Sequence, residues 1–192
     1  MKRIVVTLLL TLPLIANALV IDSPSAAISF SGVGDTVDIL DGADILAGSG
    51  GDSLSFSGLN NLVNISGGTL QGGIGFSGFD HVFNISGGSI FGDIGFSGFD
   101  HIFNITGGLF NGSITGSGYD HIFNFTGYDL VLNSNNVSGY LLDGSAIDLD
   151  ISGAFIDAQI NITNIASVSE PSSIVLLALG LLALITRSRQ LR

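Results

Sequence analysis

Residues 75–94 read GFSGFDHVFNISGGSIFGDI, and residues 95–114 repeat them almost letter for letter as GFSGFDHIFNITGGLFNGSI. The copy before, residues 55–74, is SFSGLNNLVNISGGTLQGGI; the copy after, residues 115–134, is TGSGYDHIFNFTGYDLVLNS. The period is 20 residues without a slip. Self-similarity at a fixed period of this length signals a stack in which each repeat is one structural unit.

Composition decides which stack. Within the repeats Gly is abundant, Phe, Ile and Val alternate with small polar residues, and strong helix formers are nearly absent. Alternation of period two occurs twice per unit: Phe83 and Ile85 share one face, and so do Ile90, Ile94 and Phe96. Gly87 and Gly88 separate the two runs and Gly78 opens the next bend, because Gly accepts the positive φ of tight corners. The expected fold is all-β, a parallel β-solenoid of about 20 residues per coil, right-handed as parallel crossovers are. Equivalent residues then stack roughly 4.8 Å apart. Phe83, Phe103 and Phe123 form one core column above Val63, and Ile65, Ile85, Ile105 and Phe125 form another. Asn64, Asn84, Asn104 and Asn124 recur at one position, where amides can hydrogen-bond along the stack as a structural ladder. Their Asn-x-Ser/Thr context also fits a glycosylation acceptor, a weaker reading for a stacked repeat.

The expected organisation is a signal peptide at 1–18, divergent coils at 19–54, four repeats at 55–134, further divergent coils at 135–166 and a distinct segment at 167–192. The flanking coils are expected to cover strand edges that otherwise invite aggregation. About seven coils, roughly 35 Å of axis, make one elongated domain.

Charge separates the body from the ends. All five basic residues, Lys2, Arg3, Arg187, Arg189 and Arg192, lie at the termini, and residues 19–166 hold fifteen carboxylates, every one an Asp. A body without cations gives nucleic acid no electrostatic footing. There is no Cys, so no disulfide staples the body. At the start, a basic residue pair, an apolar run of about a dozen residues broken by Pro13, and Ala16-Asn17-Ala18 have the form of a secretory signal helix cut after Ala18. The expected export route is the Sec machinery. At the other end, an uncharged apolar run over 174–185 precedes the arginines, which the positive-inside rule keeps cytoplasmic while the body faces outward. This transmembrane-like helix is short for a span and suits a transient anchor.

Glu170-Pro171-Ser172-Ser173, the Leu- and Ala-rich segment with Gly180, and the arginine tail resemble the PEP-CTERM sorting signal, with Ser169 where that signal has Pro. The resemblance covers about the last twenty-five residues. It implies a Gram-negative bacterium that makes extracellular polysaccharide, and an exosortase-like membrane protease that recognises Glu170 and Pro171.

Two places invite a metal. Asp80, Asp100 and Asp120 form a column beside His81, His101 and His121; their repulsion would be relieved by a cation, Ca²⁺ above all, or by protonated His. The plainer alternative is a solvated turn in which Asp satisfies backbone NH groups. Residues 48–54, GSGGDSL, with Asp52 as the ligand, resemble the Ca²⁺-binding RTX nonapeptide, Ala47 replacing its first Gly. No cofactor other than Ca²⁺ is expected.

Catalysis is poorly served. Polysaccharide lyases on β-helices need a cationic base or electrophile, and the body has no Lys or Arg. Hydrolysis on paired Asp would need carboxylates in unlike environments, which a repeat does not offer. Phe79, Phe91, Phe99 and Tyr119 are expected as buried corner aromatics, with sugar stacking the alternative. The leading expectation is a non-enzymatic, acidic structural protein of the outer surface or exopolysaccharide matrix. A carbohydrate- or Ca²⁺-binding module stands second and a polysaccharide-degrading enzyme third.

Overall fold

The computed structural model describes residues 18–166. The expected signal helix and the C-terminal helix, with Ala16, Glu170, Pro171, Arg187, Arg189 and Arg192, lie outside the described residues, while Ala18 begins the first strand. The described residues are all-β: seventeen strands joined into one sheet, mostly parallel, with no helix.

Two long ladders carry the architecture. In the first, Ile28–Val33, Asp52–Leu59, Gly73–Phe79, Ile94–Phe99, Ile114–Tyr119 and the end of Ala146–Ile156 pair in parallel, in that order. In the second, Ala18–Ile21, Thr36–Ile39, Leu62–Ile65, Val82–Ile90, Ile102–Phe110, Ile122–Asn133 and Gln159–Asn164 do the same. Through the central copies each residue pairs with its counterpart 20 positions on, as Phe83 with Phe103 and Phe76 with Phe96. Identical neighbours follow from that register, because parallel pairing at the repeat period sets like on like.

The core lies between the ladders. Phe83, Phe103 and Phe123 are fully buried and stack at 5.0 and 4.9 Å between centroids. Phe30, Phe56, Phe76 and Phe96 of the first ladder stack at 4.9, 5.0 and 5.1 Å and lean against them, Phe76 to Phe83 at 4.5 Å. Ile65, Ile85 and Ile105 run beside this double aromatic stack, closed by Phe125. Each such side chain contributes about 1.5 to 3 kcal/mol by leaving water.

The fourth copy breaks the Phe column, since Gly116 pairs with Phe96. The ring of Phe155, from the next copy, occupies that level and stacks on Phe96 at 5.6 Å and 15°. The sequence places Phe155 two positions out of register, so the substitution is visible only in three dimensions.

Both flanks depart from a plain continuation of the period. Ile45 pairs with Leu70, 25 residues on, whereas Leu54 pairs with Ile74, 20 on, so five extra residues bulge out around Gly48–Gly51. Residues 135–166 do not open as further parallel coils. Ile122–Asn133 runs past the bend its predecessors make and turns back antiparallel through Asn136–Leu141, which pairs antiparallel again with Ala146–Ile156. Ser134, at φ 55°, makes the first turn in an Asn-rich stretch. Asp143 pins the second: its carboxylate accepts from the Ser145 hydroxyl at 2.6 Å and from the Gly108 amide at 2.7 Å. Burial pushes the Asp143 carboxyl up, but these bonds outweigh it and hold it below the usual carboxylate range. Only from Ile151 does the chain rejoin the first ladder.

Candidate functional site

Each copy turns from the first ladder to the second at a corner residue in the left-handed region, two positions after a Gly of positive φ in most copies. Asn60, Asp80, Asp100, Asp120 and Asp157 adopt φ of 56 to 59°, and Gly34, at 74°, holds the same place in the first copy. Gly, Asn and Asp are the residues that tolerate the left-handed region. The Asp column is thus a column of corners. The amide of each corner donates to the neighbouring copy, Asp80 to the Phe99 carbonyl at 3.1 Å and Asp100 to that of Tyr119 at 3.1 Å. Among the described residues, no three His, Asp or Glu side chains come together as a metal would require.

Asp52 stands apart from this column. It follows the five-residue bulge, where the amide of Gly48 donates to the Asp52 carbonyl and that of Gly51 to Gly48. Its carboxylate lies against Gly75 on the outer face of the first ladder. The next copy offers Gln71, Gly72 and Gly73 there, without a second carboxylate.

The imidazoles beside the Asp corners point inward. His81, His101 and His121 are fully buried, stacked at 5.1 Å, with Phe76 and Phe96 edge-on against them. Each Nδ1 accepts a backbone amide of the preceding copy: Asn61 to His81 at 3.2 Å, His81 to His101 and His101 to His121 at 3.3 Å. With Nδ1 accepting, the proton is on Nε2, which donates to the Ser77 carbonyl from His81 at 3.2 Å and to the Ser97 carbonyl from His101 at 3.4 Å. His121 faces Ser117 without closing that bond. Burial lowers all three, His101 to about 4, against the upward pull of the Ser carbonyls and, for His81 and His121, of nearby Asp. Protonated His therefore does not relieve the Asp column. The parity His81-x-Phe83-x-Ile85 was the available signal that His81 points inward.

On the outer face of the second ladder the Asn side chains form one chain of bonds. Asn161 donates to Asn124 at 2.9 Å, Asn124 to Asn104 at 2.9 Å, Asn104 to Asn84 at 2.8 Å, Asn84 to Asn64 at 2.8 Å, and Asn64 to the Asp38 carboxylate at 2.7 Å. Sequence reading found four of these six members; Asp38 and Asn161 became legible only once the register of the flanks was known. Replacing Asn104 by Ala leaves a half-buried donor and a half-buried acceptor without partners. The expected cost is about 1 to 2 kcal/mol in urea unfolding, and less for Asn161→Ala at the exposed end.

Phe79, Phe99 and Tyr119 are exposed, at 45, 37 and 44 %, not buried. The positive φ of the next residue reverses the alternation, so the side chain before each corner lies outside while His after it lies inside. The three rings stack face to face at 5.1 and 5.2 Å, within 8° of parallel. Phe99 is covered on both faces by its neighbours, while the outer faces of Phe79 and Tyr119 turn toward Leu59 and Ile156 of the next copies. Phe91 stands alone on another side, 51 % exposed. Beside the aromatic ridge runs an open groove of about 510 Å³, lined by Ser31, Ser55, Ser57 and Ser77 with Asp52 at its margin.

Residues 167–190 match the PEP-CTERM protein-sorting motif. No curated protein and no solved structure matches the chain. The motif implies export, anchoring in a membrane before sorting to the surface, and processing by exosortase, a membrane protease.

Proposed function

We propose that this protein is a non-enzymatic structural element of the outer surface or exopolysaccharide matrix of a Gram-negative bacterium. In this reading the body is a right-handed parallel β-solenoid, brought out by the Sec machinery as its signal peptide is removed after Ala18. The sorting motif carries the argument for delivery. The observation that carries the structural role is the assignment of the repeated polar side chains to the scaffold. The Asp column makes corners, the His column accepts amides inside, and the Asn column bonds to itself. The repeated imidazoles are held inside, and the corner carboxylates are exposed alike in every copy, without the unlike environments that paired-carboxylate catalysis needs. A stiff body with fifteen Asp and no Lys or Arg is strongly hydrated.

Deleting residues 167–192 tests delivery: the truncated protein should be lost from the cell surface and recovered in the periplasm or medium. Unchanged surface retention would overturn the sorting role of Glu170, Pro171 and the arginines. The body is further read as needing no resident metal, since one carboxylate near the Gly48–Gly51 bulge is too few oxygens for Ca²⁺. Excess EGTA should leave the melting temperature unchanged, and a fall of several degrees would restore Ca²⁺ at Asp52 or along Asp80, Asp100 and Asp120.

The hydroxyl-lined groove favours one second reading, a module that binds carbohydrate along the first ladder. Titration with acidic exopolysaccharide, comparing the wild type with Ser57→Ala/Ser77→Ala, decides it. Saturable binding weakened by the double substitution supports it, and none removes it.

A further inference from the structure

No described strand pairs with the outer side of the outermost strands at either end of the stack. Among the described residues, Ala18–Ile21 and Ile28–Val33 pair on one side only, and so do Gln159–Asn164 and the stretch from Ile151 to Ile156. These four segments, ALVI, ISFSGV, QINITN and ISGAFI, contain no charged residue and no Pro, the usual means of blunting an edge. Core residues end there half-covered: Ile28 and Phe30 at one end, Phe155, Ile160 and Ile162 at the other. Beside Phe155 a hollow of about 270 Å³ opens over Gly153.

We propose that these ends join head to tail, the C-terminal end of one copy of this chain docking on the N-terminal end of a second. The inference rests on the structural reading above and specifies its partner. Strand direction agrees, since both ends belong to the same parallel ladders. Continuing the observed register one level further sets Leu19 over Ile160, Ile21 over Ile162, Ile28 over Ile151 and Val33 over Ile156. These four pairings, which continue the core columns and the outer ridge, are apolar on apolar, and the polar residues between them, such as Asn161 and Ser152, are uncharged. Phe30 falls over Gly153, facing the hollow. The flanks, by contrast, carry the carboxylate columns, so side-by-side contact sets like charges together. A heterologous contact that does not close on itself yields filaments.

The test uses the full-length chain in mild detergent, followed by sedimentation velocity and negative-stain microscopy over a wide concentration range. The wild type should form a series of oligomers and rods that lengthen with concentration. Leu19→Asp blocks one end and Ile160→Asp the other; each alone should weaken association at least about tenfold. Mixed, they should form dimers that grow no further, because one sound end of each kind remains. Thr163→Asp, an exposed change that the register sets against Asp22 of the second copy, covers the case in which Ile160→Asp does not fold. Tyr119→Ser should change nothing. Three results would overturn the proposal: a single monomeric species at every concentration, as when residues 1–17 or 167–192 cover the ends; dimers from either end variant alone, which mean like ends meeting; or association abolished by Tyr119→Ser, which means lateral contact. A monomer that still reaches the cell surface removes the filament and leaves the sorting role standing.

Discussion

Urea unfolding should show stability flat above about pH 6.5 and falling steadily toward pH 4. The unfolded chain binds a proton at each imidazole near 6.5, whereas His101 in the fold resists protonation down to about 4, and burial lowers His81 and His121 as well. Through that window the unfolded state binds more protons, so acidification favours it. His101 alone is worth about 2 to 3 kcal/mol once residual solvation is allowed for. Geometry gives the same sign: protonating Nδ1 would set a donor against the amide of His81, which now donates to it at 3.3 Å. Asp80, Asp100 and Asp120 at the adjacent corners oppose the shift without overcoming it. Below pH 4 the depressed Asp143 adds its own loss. The control is His101→Asn. Asn61 already holds this place in an earlier copy, accepting the Asp35 amide at 3.0 Å and donating to Ser57 at 3.4 Å without titrating. An undiminished pH slope in that variant would sink the account.

Gly98→Ala should destabilise the protein by about 3 to 5 kcal/mol, while Gly95→Ala, three residues earlier on the same strand, should fall within about 0.5 kcal/mol of wild type. Gly98 has φ 136°, where L side chains rarely go. A Cβ there would strike the Gly78 carbonyl oxygen, which is backbone, and come within 2.9 Å of His101 Nε2. Gly58, Gly78 and Gly118 repeat the geometry, so no neighbour can yield without displacing the next copy. At Gly95 the nearest atom to an added Cβ is Thr115 Oγ1 at 3.9 Å. Equal melting midpoints for the two variants would contradict the close backbone approach.

A repeat makes some of this legible in advance. Once the period is known, parallel pairing at that period sets Phe83 on Phe103 and Asn84 on Asn104, whatever the details of each bend. Corners were harder to read. Gly78 has the positive φ its sequence suggests, 138°, but the turn itself is made two residues later by Asp80 at φ 58°, which leaves Phe79 outside and His81 inside. The Ala16–Ala18 exit, the apolar tail and the matched motif at 167–190 are statements of sequence alone.

The sequence by itself determined the strand-rich class, the 20-residue register, the acidic body and the sorting motif, because these depend on composition and spacing that no packing alters. Tertiary structure alone decided that the imidazoles are neutral and inside, that Phe155 replaces the missing ring at Gly116, and that the fourth copy runs on into an antiparallel excursion. Those outcomes turn on single backbone angles and on which atoms fill a given space, and local sequence carries neither.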